Sequence, residues 1–304
     1  MPLFYMIIGH KKIRERLARS VEKNAFVQTY LFVGPESVGK FEVAKEFALH
    51  IIGDNVAMEN NNTQQTDLFV LEPEREVEKG VVKERDISVE RAREASRWLG
   101  QFPYAASKKV LIIRDAHRLT ESAQNALLKI LEEPPAYAVI IVVTHEIGNI
   151  LPTTISRCHQ VSFQLVSPME MSEATILDPA LASALSKHTF LLALGRPGLV
   201  IQSFQKDEEF SESFSVLEQL VHLSEKSLRN RLNISELCAK NRGQTLQILM
   251  WWSGGLHTQI AKAVSDKDAL LSVRNIEKIE ALRINLKRFP SSTRLLLDTF
   301  FLYW

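Results

Sequence analysis

With 304 residues, 45% of them hydrophobic and 24% charged, the chain is long enough for two or three domains, and its composition is that of an ordinary soluble globular protein. A formal net charge of +1 gives it no global field that would draw it to nucleic acid, and its two cysteines, Cys158 and Cys238, exclude a disulfide framework and fit a reducing, cytoplasmic compartment. No apolar run approaches membrane-spanning length, and Met1 to Ile8 runs into Gly9-His10-Lys11-Lys12 without the basic lead-in of a signal peptide.

The first strong element is Tyr30-Leu31-Phe32-Val33, whose composition predicts a short buried strand. Gly34-Pro35-Glu36-Ser37-Val38-Gly39-Lys40 follows, and then Phe41 to Ile52 places Val43, Ala44, Phe47, Ala48 and Ile51 at helical spacing. Strand, glycine-rich loop, lysine and helix together form a phosphate-binding loop. Backbone N–H groups of such a loop cradle phosphates, the lysine neutralises them, and the next hydroxyl ligates Mg²⁺. Phe41 stands where that hydroxyl belongs. Gly34, Gly39 and Lys40 are therefore candidate nucleotide-binding residues of a degenerate loop.

Asp54 to Asp67, with Asn60-Asn61-Asn62-Thr63-Gln64-Gln65 inside it, has almost no apolar content and is expected to be a surface loop. Lys108-Lys109 then lead into Val110-Leu111-Ile112-Ile113, a run suited to a central parallel strand covered on both faces. Active P-loop ATPases hold the metal with an aspartate at the end of this strand and often add a glutamate for the attacking water. Here the strand runs into Arg114-Asp115-Ala116-His117. If Arg114 takes the metal-ligand position, a cation repels the metal. If Asp115 takes it, the second acid is missing. Asp115 also reads as an N-terminal acid for the segment that follows.

Thr120 is a candidate N-cap, and Ala123, Ala126, Leu127, Ile130 and Leu131 give the next helix an apolar face that Pro134-Pro135 terminates. Tyr137 to Val143 predicts a second fully buried strand. Beyond it lie Leu151 to His159 and a short strand-like segment, Gln160 to Phe163. On spacing alone Arg157 reads as a solvated charge or a salt-bridge partner, and Cys158 as a packed small residue. The eight histidines show no His-x-x-x-His or Cys/His clustering, so metal catalysis has no support in the linear sequence.

The second half turns helical. Val166-Ser167-Pro168 opens a linker, Leu181 to Leu194 has a helical pattern, and Gly195-Arg196-Pro197-Gly198 can stop one helix and start another. Phe214 to Leu223, Leu246 to Val264 and Ile276 to Trp304 suit a bundle, with Trp251-Trp252 expected in its core or at a subunit contact rather than as a base-stacking platform.

The P-loop, Asp115-Ala116-His117-Arg118-Leu119-Thr120, Asn125 to Pro135, and Ser156-Arg157-Cys158, taken with Ile8-Gly9-His10, closely resemble bacterial clamp-loader subunits of the AAA+ class, most of all the delta-prime type of DNA polymerase III. The resemblance covers roughly the first half. It implies an α/β P-loop domain with a parallel sheet (residues 1–165), a small helical lid (166–206) and an all-α collar (207–304). It further implies a subunit that does not hydrolyse ATP itself but works with gamma/tau-type and delta-type subunits to open the sliding clamp and place it on primed DNA. Arg157 would then reach the γ-phosphate of ATP held by a neighbour, and Arg196 would lie near the nucleotide-sensing arginine of some relatives. Many relatives carry four zinc-binding cysteines between the P-loop and the second strand. This chain has none there, so no zinc module is expected. The alternatives are an active gamma/tau-like motor and a non-replicative scaffold.

Overall fold

The computed structural model describes residues 7–53, 67–78, 81–177, 195–204, 208–260 and 266–304. They form two compact units, one ending at Val166 and the other beginning at Ser167.

In chain order the first unit contains α1 (Lys11–Glu22), β1 (Thr29–Val33), α2 (Lys40–Ile52), β2 (Leu68–Leu71), β3 (Arg75–Glu78), β4 (Val81–Glu84), α3 (Val89–Leu99), β5 (Lys109–Ile113), α4 (Glu121–Glu132), β6 (Ala138–Thr144), α5 (Pro152–Ile155) and β7 (His159–Ser162). Five strands make one sheet in the order β2-β5-β6-β1-β7, every pairing parallel, while β3 and β4 form a separate antiparallel hairpin. The strand residues alternate between two cores, as the period of two requires. Leu31, Leu111, Ile113, Ile140 and Val142 face one way, onto Ala92, Ala95 and Leu99 of α3 and Ala123, Leu127 and Leu131 of α4. Phe32, Val110, Ile112, Val139, Ile141 and Val161 face the other way, onto Val43, Ala44, Phe47 and Ile51 of α2 and Leu17 of α1. Helices on both faces explain why the central strands are apolar at every position but their ends. Each fully buried Val, Leu or Ile contributes about 1.5–3 kcal/mol of hydrophobic free energy.

In this unit the expected strands and helices occur with their ends moved by a residue, whereas the later helices expected over Phe214 to Leu223 and Leu246 to Val264 run Glu208–Val221 and Arg242–Ile260. Thr120 caps α4 as its sequence position implies, its hydroxyl oxygen accepting from the Ala123 N–H at 3.2 Å. The hairpin, α1, β2 and α3 have no counterpart in the sequence expectations. Asp67 departs from the surface loop expected over Asp54 to Asp67, of which residues 54–66 lie outside the described residues: it is only 3% exposed. Its carboxylate accepts from the backbone N–H groups of Tyr104, Ala105 and Ala106 at 2.7, 2.8 and 2.9 Å. Burial pushes this carboxyl up, but the three N–H groups and Lys109 outweigh it and hold it below the ordinary carboxylate value.

Among the described residues of the second unit the regular secondary structure is all helical: α6 (Pro168–Leu177), α7 (Pro197–Phe204), α8 (Glu208–Val221), α9 (Leu228–Lys240), α10 (Arg242–Ile260), α11 (Asp266–Arg288) and α12 (Thr293–Leu302). Trp251 and Trp252 are buried in its core, where Trp252 packs on Trp304 with ring centroids 4.4 Å apart. The helix expected over Ile276 to Trp304 is two helices. Proline disfavours helical geometry in the residue before it, and Phe289 leaves the helix at φ −126°, ψ 73°, before a short turn at Pro290. The helix expected over Leu181 to Leu194 and the lid–collar boundary near 206 both fall outside the described residues.

Candidate functional site

Because the sheet is parallel, the chain leaves β1, β5, β6 and β7 at the same edge, where ligands bind in open α/β sheets. The P-loop follows β1. Gly34 has φ +151°, and a Cβ there would stand 2.3 Å from the Phe163 carbonyl oxygen just past β7. Only glycine permits that approach. Gly39, at φ +98°, starts α2. His10 braces the loop, its Nε2 lying 2.9 Å from the Val38 carbonyl and its ring packing edge-on against Phe163 at 4.9 Å. Lys40 is buried, and its ammonium donates to the loop's own Gly34 and Pro35 carbonyls at 2.9 and 2.5 Å. The three residues expected to hold nucleotide thus lie together in one loop, with the lysine turned onto the backbone.

Arg114 directly follows the last residue of β5, with Asp115 next. The guanidinium of Arg114 lies 4.6 Å over the Phe41 ring, and its nitrogens approach Glu72 at 3.2 Å and Asp115 at 3.5 Å. A P-loop magnesium ion needs a hydroxyl oxygen after the lysine and a carboxylate at the end of β5. An aromatic ring and a cation stand there instead. The residues present do not fit that ion.

Asp115 does not act as a helix cap. It sits at φ 50°, ψ 47° before the turn Ala116–Arg118 and makes no side-chain cap bond. One of its oxygens faces Arg114; the other lies 3.9 Å from Nδ1 of His145. His145 follows β6, and its ring meets that of His117 edge-on at 4.0 Å. Thr144, buried at the end of β6, holds its hydroxyl 3.5 Å from Nδ1 of His117. Burial holds the His117 imidazolium below its ordinary pKa, with the charges of Asp115 and Glu146 pulling the other way. Linear spacing flags none of this grouping. The signal that would find it is topological: the residues following two adjacent parallel strands meet at one edge.

Arg157 lies on the segment after α5. Pro152 occupies the first turn of that short helix, and Gln124 of α4 fixes its start, accepting from the Leu151 N–H at 2.8 Å and donating to the Asn149 carbonyl at 2.9 Å. Gln124 is only 4% exposed, and sequence reasoning missed it because it falls between the apolar positions of α4. The Thr29 hydroxyl donates to the Arg157 carbonyl at 2.7 Å. The Arg157 side chain donates to Glu132 at 3.0 Å and to the Thr153 carbonyl at 2.8 Å. In the isolated chain it is therefore a salt-bridge partner, on the opposite side of β1's first residue from the P-loop. Burial pushes the Cys158 thiol up to about 11 and the Cys238 thiol to about 12, so neither is a nucleophile at neutral pH. Arg196, in the second unit, is buried, and a Cβ added to Gly254 would lie 3.6 Å from its Nη2.

Comparison with known proteins bears on what this arrangement serves. The chain is 31% identical over 173 residues to DNA polymerase III subunit tau of Bacillus subtilis, covering 54% of this chain and 29% of that one. It is 30% identical over 142 residues to subunit delta' of Pseudomonas aeruginosa, covering 43% and 41%. Against subunit delta' of Bacillus subtilis the identity is 26% over 216 residues, covering 66% and 61%. The matched stretches thus span well under two thirds of the first two relatives' own lengths. A DNA polymerase III gamma subunit-related protein from Thermotoga maritima superposes with a TM-score of 0.52 at 18% identity, covering 95% of this chain and 97% of that one, which shows a shared fold. The profile described as DNA polymerase III, delta subunit, matches residues 9–167. That match takes in the P-loop, the Arg114–Asp115 turn, α4 and Arg157, and by it the chain belongs to the DNA polymerase III delta-subunit family.

Proposed function

We propose that this chain is a delta-prime-like clamp-loader subunit that does not hydrolyse ATP and that lends Arg157 to the ATP site of a neighbouring subunit. The Arg114–Phe41 stack carries the first half of this reading. Guanidinium over an aromatic face is held by the ring's quadrupole, worth roughly 0.5–2 kcal/mol, so two substitutions that each remove a metal oxygen also stabilise one another. ATP in the assembly would then be bound by gamma/tau-type partners. Nucleotide could still meet Gly34, Gly39 and the Lys40 region through backbone dipoles without metal-dependent turnover.

For Arg157, the chemistry asks for a charge that persists at every pH and a planar fork that fits a phosphoryl group. Its present partner, Glu132, is more than half exposed, so exchanging it for a phosphate has little cost. Partners are expected to include gamma/tau-type and delta-type subunits, the sliding clamp, and primed DNA through the complex. Exposed Leu270, Leu271 and Ile284 on α11 and Leu295 on α12 supply apolar surface for a collar among subunits. No described helix is long and apolar enough to cross a membrane. Without cysteines between Lys40 and Val110, folding requires no zinc module of the kind relatives carry.

Phosphate release by the purified chain tests the passive role. The expected result is none above background with ATP and Mg²⁺. Turnover near one per second, abolished by Lys40→Ala, would make the chain a motor subunit instead.

A further inference from the structure

We propose that Asp115, His117 and His145 form a binding site for a divalent transition-metal ion of borderline softness, zinc above all. Each offers one ligand atom, and the three atoms lie within 4.8 Å of one another. All three side chains are half-buried, so a water molecule can complete a four-coordinate shell as it does in open zinc sites. Two imidazoles and one carboxylate are a donor set that zinc, nickel and copper accept and magnesium does not. The same edge that has lost the oxygen ligands of a hard ion has thus gathered nitrogen ligands for a softer one.

The distances are near those of a closed shell. Zinc–ligand bonds of about 2.0–2.1 Å put tetrahedral ligand atoms roughly 3.3 Å apart, and Asp115 Oδ1 already lies 3.9 Å from His145 Nδ1. Arg114 approaches the other carboxylate oxygen, Oδ2, at 3.5 Å, and Thr144 stands beside the His117 ring. Both act as the outer partners that orient metal ligands. Arg118 and Lys40 add positive charge near His117 and Arg114 does so beside Asp115, which lowers the affinity, while Glu146 opposes them. Such an ion would pin the loop after β5 to the loop after β6. This site is independent of the passive-subunit reading: either can fail while the other stands.

The test uses the full chain, freed of metal with a chelator, and zinc chloride alone as titrant in a calorimeter, with Co²⁺ absorption as a second signal. One equivalent should bind, and the melting temperature should rise with free zinc as mass action requires. His117→Gln and His145→Gln should each weaken binding by roughly tenfold or more, with Asp115→Asn doing the same. His50→Gln should change nothing. Circular dichroism of the metal-free variants, matching the wild type, separates lost ligands from a lost fold. Should one variant fail to fold, Asp115→Asn, the closest in shape, decides. Absence of binding by the wild type, or equal binding by wild type and the His117→Gln/His145→Gln double variant, would overturn the site.

Discussion

Arg114 lies with its guanidinium 4.6 Å over the ring of Phe41, joining the end of β5 to the residue that follows the P-loop lysine. The two positions are distant in sequence, yet the fold brings them into contact, and on the proposed reading each takes the place of a magnesium ligand. Changing only one of the two leaves the other without its stacking contact.

That coupling gives a first prediction. Phe41→Thr alone and Arg114→Asp alone should leave nucleotide affinity independent of Mg²⁺. The double variant should bind a fluorescent ATP analogue at least about tenfold more tightly with Mg²⁺ than without it, a difference of about 1.4 kcal/mol. Equal magnesium responses in a single variant and the double would show that the stack is not what excludes the ion.

Asp67 predicts an acid-dependent stability. Its folded pKa is depressed below the ordinary 3.8, so its contribution is fully present above that value and lost as pH falls through the folded pKa. Asp67→Ala leaves three N–H groups without an acceptor and should cost on the order of 3 kcal/mol at pH 7. Urea melts from pH 7 to pH 3 should show the gap between wild type and variant closing only below about pH 4. A gap that stays constant across that range would contradict the assignment.

Gln124 predicts a coupling between the core and the Arg157 segment. Gln124→Leu keeps the volume but leaves the Leu151 N–H and the Asn149 carbonyl unsatisfied, and should destabilise the chain by about 2 kcal/mol. Amide hydrogen exchange should rise at residues 149–158 and remain unchanged in β5 and β6. Uniform acceleration across the domain would mean that Gln124 serves global stability alone.

The exposed apolar face of α11 makes a separate prediction. Leu270 and Ile284 are 62% and 63% exposed, so Leu270→Glu/Ile284→Glu should shift the melting temperature of the isolated chain by little, since surface changes fall within about 0.5 kcal/mol. In a pull-down with co-expressed gamma/tau-type and delta-type subunits, recovery should drop several-fold. Undiminished recovery would remove this face from the proposed collar.

How much of this the sequence carries depends on the range of the interaction. β1, β5, β6 and α4 are legible because each is fixed locally: a period of two filled on both faces by apolar residues, a Thr120 cap, a Pro134 stop. The P-loop is legible for the same reason, since its glycines and lysine are contiguous. Phe41 announces its own chemistry. Its stacking partner does not, because Arg114 and Phe41 meet only once β5 is laid beside the other strands. The same holds for Asp115, His117 and His145, and for Gln124, whose carbonyl partner Asn149 and N–H partner Leu151 come from the segment after β6. The burial of Asp67 is not legible, because polar neighbours in sequence say nothing of the backbone of Tyr104 to Ala106 that donates to it. The break at Phe289 has a local signal in Pro290, which disfavours helical geometry in the residue before it.

The account rests most heavily on Arg157 acting outside its own chain. The deciding measurement is clamp-stimulated ATP hydrolysis by complexes assembled from wild-type partner subunits and Arg157→Ala, Arg157→Lys or Glu132→Ala versions of this chain. Both Arg157→Ala and Glu132→Ala break the same exposed ion pair, which is worth at most about 1 kcal/mol of stability. Only the arginine changes should slow hydrolysis. A trans arginine contributes on the order of a thousandfold at the one site it reaches, so the total rate should fall by that site's share, with lysine rescuing poorly because it lacks the planar fork. Equal rates for wild-type and Arg157→Ala complexes, with assembly verified, would contradict the account and leave Arg157 as the partner of Glu132 and nothing more.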